Sequence, residues 1–273
     1  MRPAQQFVGA GISYRKPYRR ELLAEDGLSK PAVLEVVPSH FFAEPDLLAP
    51  LAERYPLVFH EVGCSIGTAE PVDTELLRRI KALFAYGKPL FFTEHLALTT
   101  SPAGIDLGHL APIWYTRSAL DSLSERVLRW QEVLGVEVAL ETITVPFVVP
   151  EADFTECEFF HELVTRTGCG LLLDVTNQVI NGHNLGFDPE AVLAGYPLHA
   201  VMQVHLAGGQ RGPDRWVDSH DAPVDAESFA VLKTLRGRAP LRTIIVERDD
   251  NLLPLADLVG EVSRAGAVWS GSE

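Results

Sequence analysis

The sequence predicts an α/β fold, a (β/α)₈ TIM barrel formed as a single domain, and three observations support this prediction. Eight short apolar segments alternate with helical patterns along the 273 residues. No shift in composition marks a linker, so residues 1–273 are expected to form one unit. Repeated strand–helix units imply parallel strands with right-handed crossovers, and eight of them in a chain of this length are typical of a closed barrel.

An open, doubly wound sheet is the alternative arrangement for alternating strands and helices. Sheets of that kind that bind dinucleotides carry a glycine fingerprint between the first strand and the first helix. Here Gly9 and Gly11 lie within the first predicted strand, and no third glycine opens a helix. The barrel is therefore the preferred interpretation.

The predicted strands are short apolar runs, most of which end at a charged side chain. They cover Phe7–Ile12, Ala32–Val37, Leu57–His60, Pro89–His95, Val136–Glu141, Leu171–Asp174, Ala200–Leu206 and Arg242–Glu247. The sixth run has glycines before it and an expected turn after it, which is typical of a strand buried on both faces. Because an ionised carboxylate is costly to bury, Asp174 is expected to cap a helix or to take part in chemistry.

Apolar residues at helical spacing predict a helix between most pairs of strands. The predicted helices cover Arg20–Gly27, Pro45–Tyr55, Asp73–Tyr86, Thr116–Leu134, Glu151–Thr167, Asp188–Ala194, Ala226–Leu235 and Pro254–Ala265. Asp73 is expected to cap the third helix. Segments 99–115 and 208–224 are expected to be loops.

Charge and cysteine content exclude several functional classes. The formal net charge is −14, and the only cluster of cations is the short Arg15–Arg20 stretch, so a nucleic-acid partner is not expected. Cys64, Cys157 and Cys169 form no CxxC pair, which fits a reducing compartment better than a disulfide framework. Neither a signal peptide nor a bilayer-spanning apolar run is present, so we expect a cytoplasmic protein without a membrane partner.

Seven of the eight predicted strands end at a carboxylate or an imidazole, and in a barrel these ends meet at one mouth. The residues are Glu35, His60, His95, Glu141, Asp174, His205 and Glu247, with Glu94 and Asn177 beside them and Asp218 and His220 in a following loop. Each side chain alone is more often a helix cap, an ion-pair partner or a satisfied core histidine. Together they would repel and desolvate one another unless cations held them.

Imidazole and carboxylate groups without thiolate suit zinc, manganese or iron. There are more candidate ligands than one ion needs, so we expect at least two ions and one bridging carboxylate. The residues alone leave the reaction open. A divalent-metal barrel enzyme of the sugar isomerase or phosphodiesterase type would explain the same set, and a non-catalytic barrel that binds a peptide is a third possibility.

Six motifs carry a resemblance to a known family. They are His60–Gly67, Thr93–Leu96, Gly168–Asn177, His205–Gly208, Asp218–His220 and Glu247–Asp249. With these motifs in this order along nearly the whole chain, the protein resembles the multinuclear non-heme iron-dependent oxidative enzymes, the group that includes the methanobactin biosynthesis oxygenase.

The resemblance implies a TIM barrel that holds two or three irons in mixed Fe(II)/Fe(III) states and uses O₂ to modify a ribosomally synthesised precursor peptide (RiPP), at Cys or another C-terminal residue. An iron–superoxo species would abstract hydrogen from the substrate. The ligands it implies are His60, His95, Glu141, Asp174, Asn177, His205, Asp218, His220 and Glu247, with Glu141 as the bridge and with Asp174, His205 and Asp218 in catalytic roles. It also implies a separate small partner protein that binds the peptide leader, because no segment is spare for that task.

Six positions depart from the pattern of the family that the chain resembles. Thr93 replaces a serine, Thr142 replaces an asparagine, and Thr176 replaces the first of two asparagines. Gly209 stands where the pattern has histidine, and Ser39-His40 stands where it has Glu-Asn. Because these changes lie around the implied ligands, they are expected to affect the substrate and the outcome of the reaction.

Overall fold

The computed structural model of the protein describes residues 6–25, 29–68, 74–101 and 103–272. Twelve strands are numbered along these residues: β1 (Gly9–Ser13), β2 (Leu34–Val36), β3 (Leu57–Glu61), β4 (Phe92–His95), β5 (Leu98–Thr100), β6 (Asp106–Ala111), β7 (Val138–Glu141), β8 (Gly170–Asp174), β9 (Val201–Leu206), β10 (Gln210–Arg211), β11 (Trp216–Val217) and β12 (Thr243–Val246). Strands β1, β2, β3, β4, β7, β8, β9 and β12 close into a barrel in that order. All neighbouring pairs are parallel, which confirms the predicted TIM barrel.

Nine α-helices lie in the described part of the chain. They are α1 (Arg19–Leu23), α2 (Ala49–Ala52), α3 (Thr74–Ala82), α4 (Arg117–Leu134), α5 (Glu156–Thr167), α6 (Val175–Leu185), α7 (Pro189–Leu193), α8 (Ala226–Thr234) and α9 (Leu255–Ser270). Short 3₁₀ turns cover Lys16–Tyr18, Pro38–Phe41, Pro45–Leu47, Leu83–Ala85 and Leu198–Ala200. None of the helices described here is both long and apolar enough to cross a bilayer.

An apolar layer fills the barrel below its mouth. It consists of Val33, Val58, Phe91, Ala139, Leu172, Met202 and Ile245, packed as one buried cluster. Successive inward side chains on a strand lie two residues apart. The alternation therefore places His60, Glu141 and Asp174 one step above this layer, at the carboxyl ends of their strands. Because this apolar layer fills the barrel below the mouth, the polar residues meet at only one end of the barrel.

The register of the parallel strands brings the predicted site residues side by side. His95 pairs with Glu141 across β4 and β7, and Asp174 pairs with His205 across β8 and β9. Strand β8 can approach β9 closely because Gly170 has no side chain, since a Cβ atom there would lie 2.2 Å from the Met202 sulfur. This close packing fixes the height at which Asp174 leaves the sheet.

Helix α6 is the main feature that the sequence did not predict. The turn expected after Asp174 is wrong, because α6 begins directly at Val175. Its sequence is rich in β-branched residues, asparagine and glycine, which are weak helix formers. Two effects compensate: Oδ1 of Asp174 caps the helix by accepting the Asn177 N–H at 2.8 Å, and residues 175–182 are buried.

The two long loops also contain regular structure. Strands β5 and β6 form an antiparallel hairpin that begins at Leu98, one residue before the predicted loop 99–115. Strands β10 and β11 form a second antiparallel hairpin within the predicted loop 208–224. Helix α5 begins at Glu156 and not at Glu151, because a capping box between Thr155 and Glu158 sets its start. The predicted cap Asp73 and the predicted helix end Gly27 lie outside the described residues.

Candidate metal centre

The first group of candidate ligands stands at the ends of β3, β4 and β7. Nε2 of His60 lies 3.5 Å from Oε2 of Glu141, and Nε2 of His95 lies 3.3 Å from the same oxygen. The two imidazole centroids are 4.7 Å apart. One ligand atom from each of the three residues lies within 4.8 Å of the others, a spacing that a single ion can span.

The second group consists of Glu141, Asp174, His205 and Glu247, all buried, with ligand atoms again within 4.8 Å of one another. Nδ1 of His205 lies 3.1 Å from Oε1 of Glu141 and 3.1 Å from Oε2 of Glu247. Glu141 therefore belongs to both groups and presents a different oxygen to each. This is the geometry that a bridging carboxylate requires.

Asp218 and His220 adjoin the second group from the loop after β11. Nε2 of His220 lies 2.8 Å from Oδ1 of Asp218, and its Nδ1 lies 3.7 Å from Oε2 of Glu247. His220 has a φ of 49°, an unusual value for a residue other than glycine, so the loop conformation directs this ring into the mouth.

Asn177 lies on the first turn of α6, next to the second group. Its side-chain N–H donates to the Thr142 carbonyl at 3.4 Å, and its Oδ1 is buried without a hydrogen-bond partner among the described residues. All nine predicted ligands thus lie at the barrel mouth or on the loops and helix beside it. The two groups of candidate ligands contain six of them, His60, His95, Glu141, Asp174, His205 and Glu247, and Asn177, Asp218 and His220 lie beside these groups.

Each histidine of the site has one ring nitrogen toward the candidate ligands and the other toward a separate polar group. The pairs are His60 Nδ1 with Thr93 Oγ1 (2.9 Å), His95 Nδ1 with Glu94 Oε1 (3.2 Å), His205 Nε2 with Glu35 Oε2 (2.9 Å) and His220 Nδ1 with Asp249 Oδ2 (3.2 Å). Histidines that bind metals are oriented in this way, because the second nitrogen fixes the tautomer.

Two of the orienting groups had not been recognised from the sequence. In the sequence, Asp249 is only the last residue of the Glu247–Asp249 motif. In the structure its carboxylate also accepts a hydrogen bond from Arg15, and Arg15 donates a second one to Ser13 Oγ at 2.7 Å. Arg15 is thus part of the mouth. Glu35 is recognisable in the sequence as a strand-end carboxylate, but nothing in the sequence indicates its contact with Nε2 of His205.

Protonation in the metal-free protein compensates the crowded charges. Burial alone lowers the pKa of His95, but the Glu141 and Glu94 carboxylates outweigh it and raise this pKa to about 9. Burial raises the pKa of Glu141, but His95 and His205 overturn that effect and bring it to about 2. For Asp174, burial and the Asp218 and Glu141 carboxylates raise the pKa well above its usual value. Protons on imidazoles therefore occupy the place of cations.

Several buried polar atoms of the cluster lack a hydrogen-bond partner among the described residues. They are Oε2 of Glu141, Oδ2 of Asp174 and Oδ1 of Asn177. Buried polar atoms are rarely left unsatisfied, and a bound cation would satisfy all of these. Nitrogen and oxygen donors without thiolate fit iron, manganese or zinc, so the residues present fit a multinuclear metal centre.

The residues that depart from the family pattern make structural contacts around the site. Thr93 orients His60, and Oγ1 of Thr142 accepts the Asp174 N–H at 3.1 Å. Oγ1 of Thr176 donates to the Ala207 carbonyl at 3.1 Å. At Gly209 a side chain cannot fit, because a Cβ atom would lie 2.5 Å from the Val217 carbonyl oxygen.

Comparison with known proteins agrees with the motif order. The profile of the family described as "RiPP precursor modification enzyme MbnB/TglH/ChrH" matches residues 9–270. The chain belongs to this family. The match covers every strand of the barrel and every candidate ligand, so membership in this RiPP precursor modification family does not rest on one motif.

Relatives of this family member are described only as UPF0276 proteins. One from Rhizorhabdus wittichii is 35% identical over 259 residues, covering 93% of this chain and 92% of the relative. One from Chromobacterium violaceum is 36% identical over 266 residues, covering 96% of this chain and 95% of the relative.

Solved structures with the same fold share far less sequence with this member of the RiPP precursor modification family. The 3-keto-D-glucoside 4-epimerase YcjR from E. coli has a TM-score of 0.56 and 13% identity over 94% of this chain and 99% of its own. Endonuclease IV from Thermus thermophilus has a TM-score of 0.55 and 17% identity over 98% of this chain and 100% of its own. At these identities the likeness establishes the barrel and nothing about the reaction.

Proposed function

We propose that this protein is a multinuclear iron enzyme that uses O₂ to modify a ribosomally synthesised precursor peptide oxidatively, at Cys or another C-terminal residue. One observation carries the proposal: Glu141 presents one oxygen to His60 and His95 and the other to His205, within a family of peptide-modifying enzymes. Two ions joined by one carboxylate suit a reaction that must bind both a substrate group and O₂. Bound iron would supply O₂ activation and Lewis acidity.

The nine residues proposed as iron ligands are His60, His95, Glu141, Asp174, Asn177, His205, Asp218, His220 and Glu247. We assign catalytic roles to Asp174, His205 and Asp218, because they line the part of the cluster between the bridging carboxylate and the loop after β11. Burial and the neighbouring Asp218 and Glu141 carboxylates raise the pKa of Asp174. Asp174 is therefore the group best placed to respond to a change of charge at the centre.

Exposed apolar side chains around the mouth support a peptide as the substrate. Among the described residues, seven of the eight large apolar side chains that are exposed lie in loops that follow barrel strands: Val62, Ile105, Trp114, Phe147, Val148, Val217 and Leu252. Exposed apolar groups concentrated on one face mark binding surfaces, and a peptide offers side chains that could cover them.

We further propose that a separate small protein binds the leader of the precursor peptide. This follows from the family resemblance and from the exposed apolar side chains around the mouth, which could contact a peptide segment near the candidate ligands. Co-expression with proteins encoded beside the gene, followed by purification through a tag on this chain, tests the idea. A stable complex that lowers the KM for the peptide is expected.

The central experiment is metal analysis of protein purified without oxygen, combined with an assay on a short peptide encoded next to the gene. We expect at least two irons per chain, consumption of O₂, and a change in peptide mass that fails when His205 is replaced by alanine. Less than one iron per chain, with activity restored by zinc alone and without O₂ uptake, would contradict the proposal. That result would favour a divalent-metal hydrolase or isomerase.

A further inference from the structure

His205 is held from both sides of its ring inside a fully buried site. Its Nδ1 lies 3.1 Å from oxygens of Glu141 and Glu247, and its Nε2 lies 2.9 Å from Oε2 of Glu35. Both His205 and Glu35 have 0% exposure. The ring therefore has one candidate metal-binding atom, Nδ1. Its Nε2 contacts two buried groups, the Glu35 carboxylate and the side-chain amide nitrogen of Gln203 at 2.8 Å. Of these two, only the carboxylate can accept a proton from Nε2, because an amide nitrogen does not accept hydrogen bonds.

The orientation of His205 is the reverse of that at His60 and His95. Those two rings direct Nε2 toward Glu141 and Nδ1 toward Thr93 or Glu94. A neutral imidazole that binds metal through Nδ1 carries its proton on Nε2. At His205 this proton points at the Glu35 carboxylate, so Glu35 selects the tautomer that Nδ1 ligation needs.

Glu35 is poorly explained as a structural residue. Its Oε2 accepts from Gln203 as well as from His205, but its Oε1 has no hydrogen-bond partner in the described part of the chain. An ionised carboxylate buried among strands is costly unless it is paired and fully hydrogen-bonded. A role in orienting His205 accounts for the buried Glu35 carboxylate, which would otherwise only destabilise the fold.

We propose that Glu35 is a positioning residue that accepts the Nε2 proton of His205 and thereby makes Nδ1 the metal-binding atom of the group Glu141, Asp174, His205 and Glu247. This inference rests on the proposed metal centre. The negative charge behind the ring makes His205 a more basic ligand, and such partners contribute about 10–100-fold to metal affinity. The same charge favours the more oxidised state of a redox metal at this position.

The test uses the full-length metal-free protein, titrated anaerobically with Co²⁺ and followed by calorimetry and visible absorption. Glu35→Leu removes the acceptor, and Glu35→Gln keeps an acceptor but removes the charge. We expect one class of Co²⁺ site to weaken by about 10–100-fold, with the Gln variant nearer the lower figure. The site formed by His60 and His95 keeps its affinity, because Glu35 contacts neither ring.

Glu61 supplies a matched control from the same end of the barrel. It is buried and accepts from the Ser39 N–H and hydroxyl, each at 2.9 Å, so its carboxylate holds a loop. Glu61→Gln should lower the unfolding temperature of the metal-free protein and leave Co²⁺ affinity unchanged. The Glu35 variants should show the opposite pattern, with an unfolding temperature at or above the wild-type value and weaker Co²⁺ binding.

Two results would overturn the role of Glu35 alone: unchanged Co²⁺ affinity in both variants, or a loss of metal-free stability as large as that of the Glu61 variant. If the wild-type protein itself binds no Co²⁺, the metal centre is wrong and this inference is wrong with it. The wild-type titration thus separates failure of the proposed centre from failure of the positioning role.

Discussion

Oε1 of Glu141 lies 3.1 Å from Nδ1 of His205, while the other oxygen of the same carboxylate faces His60 and His95. One side chain on β7 therefore connects two groups of candidate ligands from the ends of six strands. Because the parallel strands fix the height of each side chain, the two groups cannot move apart independently. Metal binding at the two positions is expected to depend on this single residue.

Replacement of Glu141 by alanine should remove metal from both positions. His95→Ala takes one ligand from the first group only, so it should cost no more than one ion per chain. Elemental analysis of anaerobically purified variants measures the difference. Glu132→Gln, on the exposed face of α4, is the control and should match the wild type. Equal losses in the Glu141 and His95 variants would show that Glu141 does not bridge.

The stability of the protein should depend on pH through Glu156, the first residue of α5. Burial raises the pKa of its carboxyl group to about 7 despite hydrogen bonds from Tyr196 and Tyr115. Because the folded-state pKa is raised, the stabilising contribution is fully present below about pH 4.5 and is lost as the pH rises through 7. The free energy of unfolding should fall by up to about 3 kcal/mol from this group.

Urea unfolding of wild type and Glu156→Gln between pH 5 and pH 8 isolates this effect, because other titrating groups are common to both proteins. The variant should be the more stable of the two at pH 8, and the difference should shrink toward pH 5. Glu162→Gln, at an exposed position of α5, should leave the wild-type pH profile unchanged. A wild-type and Glu156→Gln difference that does not vary with pH would contradict the prediction.

The ends of the strands could be predicted from sequence because a simple rule governs them. Short apolar runs alternate with helices, and inward side chains such as His60 and Asp174 converge wherever parallel strands close into a barrel. Helix α6 could not be predicted, because the Asp174 cap and tertiary burial override the weak helix propensity of its residues. The orientation of the His205 ring could not be predicted either, because the sequence does not distinguish Glu35 from any other carboxylate at the end of a strand.

Asp174 has two separable roles, which its variants can distinguish. It caps α6 through Oδ1, and it belongs to the second group of candidate ligands. Asparagine also caps helices well, so Asp174→Asn should leave metal-free stability nearly unchanged, whereas Asp174→Ala should lower it by about 1 kcal/mol. Both variants should weaken Co²⁺ binding, because neither supplies a carboxylate.

Chemical unfolding and Co²⁺ titration of the same protein samples measure the two roles of Asp174 independently. Its pKa is raised because burial and neighbouring carboxylates oppose ionisation, so the neutral amide should be well tolerated in the metal-free state. An asparagine variant that binds Co²⁺ as tightly as the wild type would remove Asp174 from the ligand set and leave it as a cap.

Gly209 should be intolerant of any side chain, although the family pattern has histidine there. A Cβ atom would lie 2.5 Å from the Val217 carbonyl oxygen and 2.7 Å from Nε1 of Trp216, both in strand β11. Gly209→Ala should therefore lower the free energy of unfolding by about 1–3 kcal/mol, as overpacking does. Gly260→Ala on α9 is the control, because nothing lies within 4 Å of its added methyl group and alanine favours the helix.

Gly209→His tests whether the departure also shapes the metal centre. To admit the ring, the β10–β11 hairpin must move, and Asp218 and His220 follow β11 directly in the chain. The variant should therefore lose metal at the position next to this pair while keeping metal at the position formed by His60, His95 and Glu141. If Gly209→His is as stable as the wild type and loses no metal, the hairpin is adaptable and the glycine does not shape the metal centre.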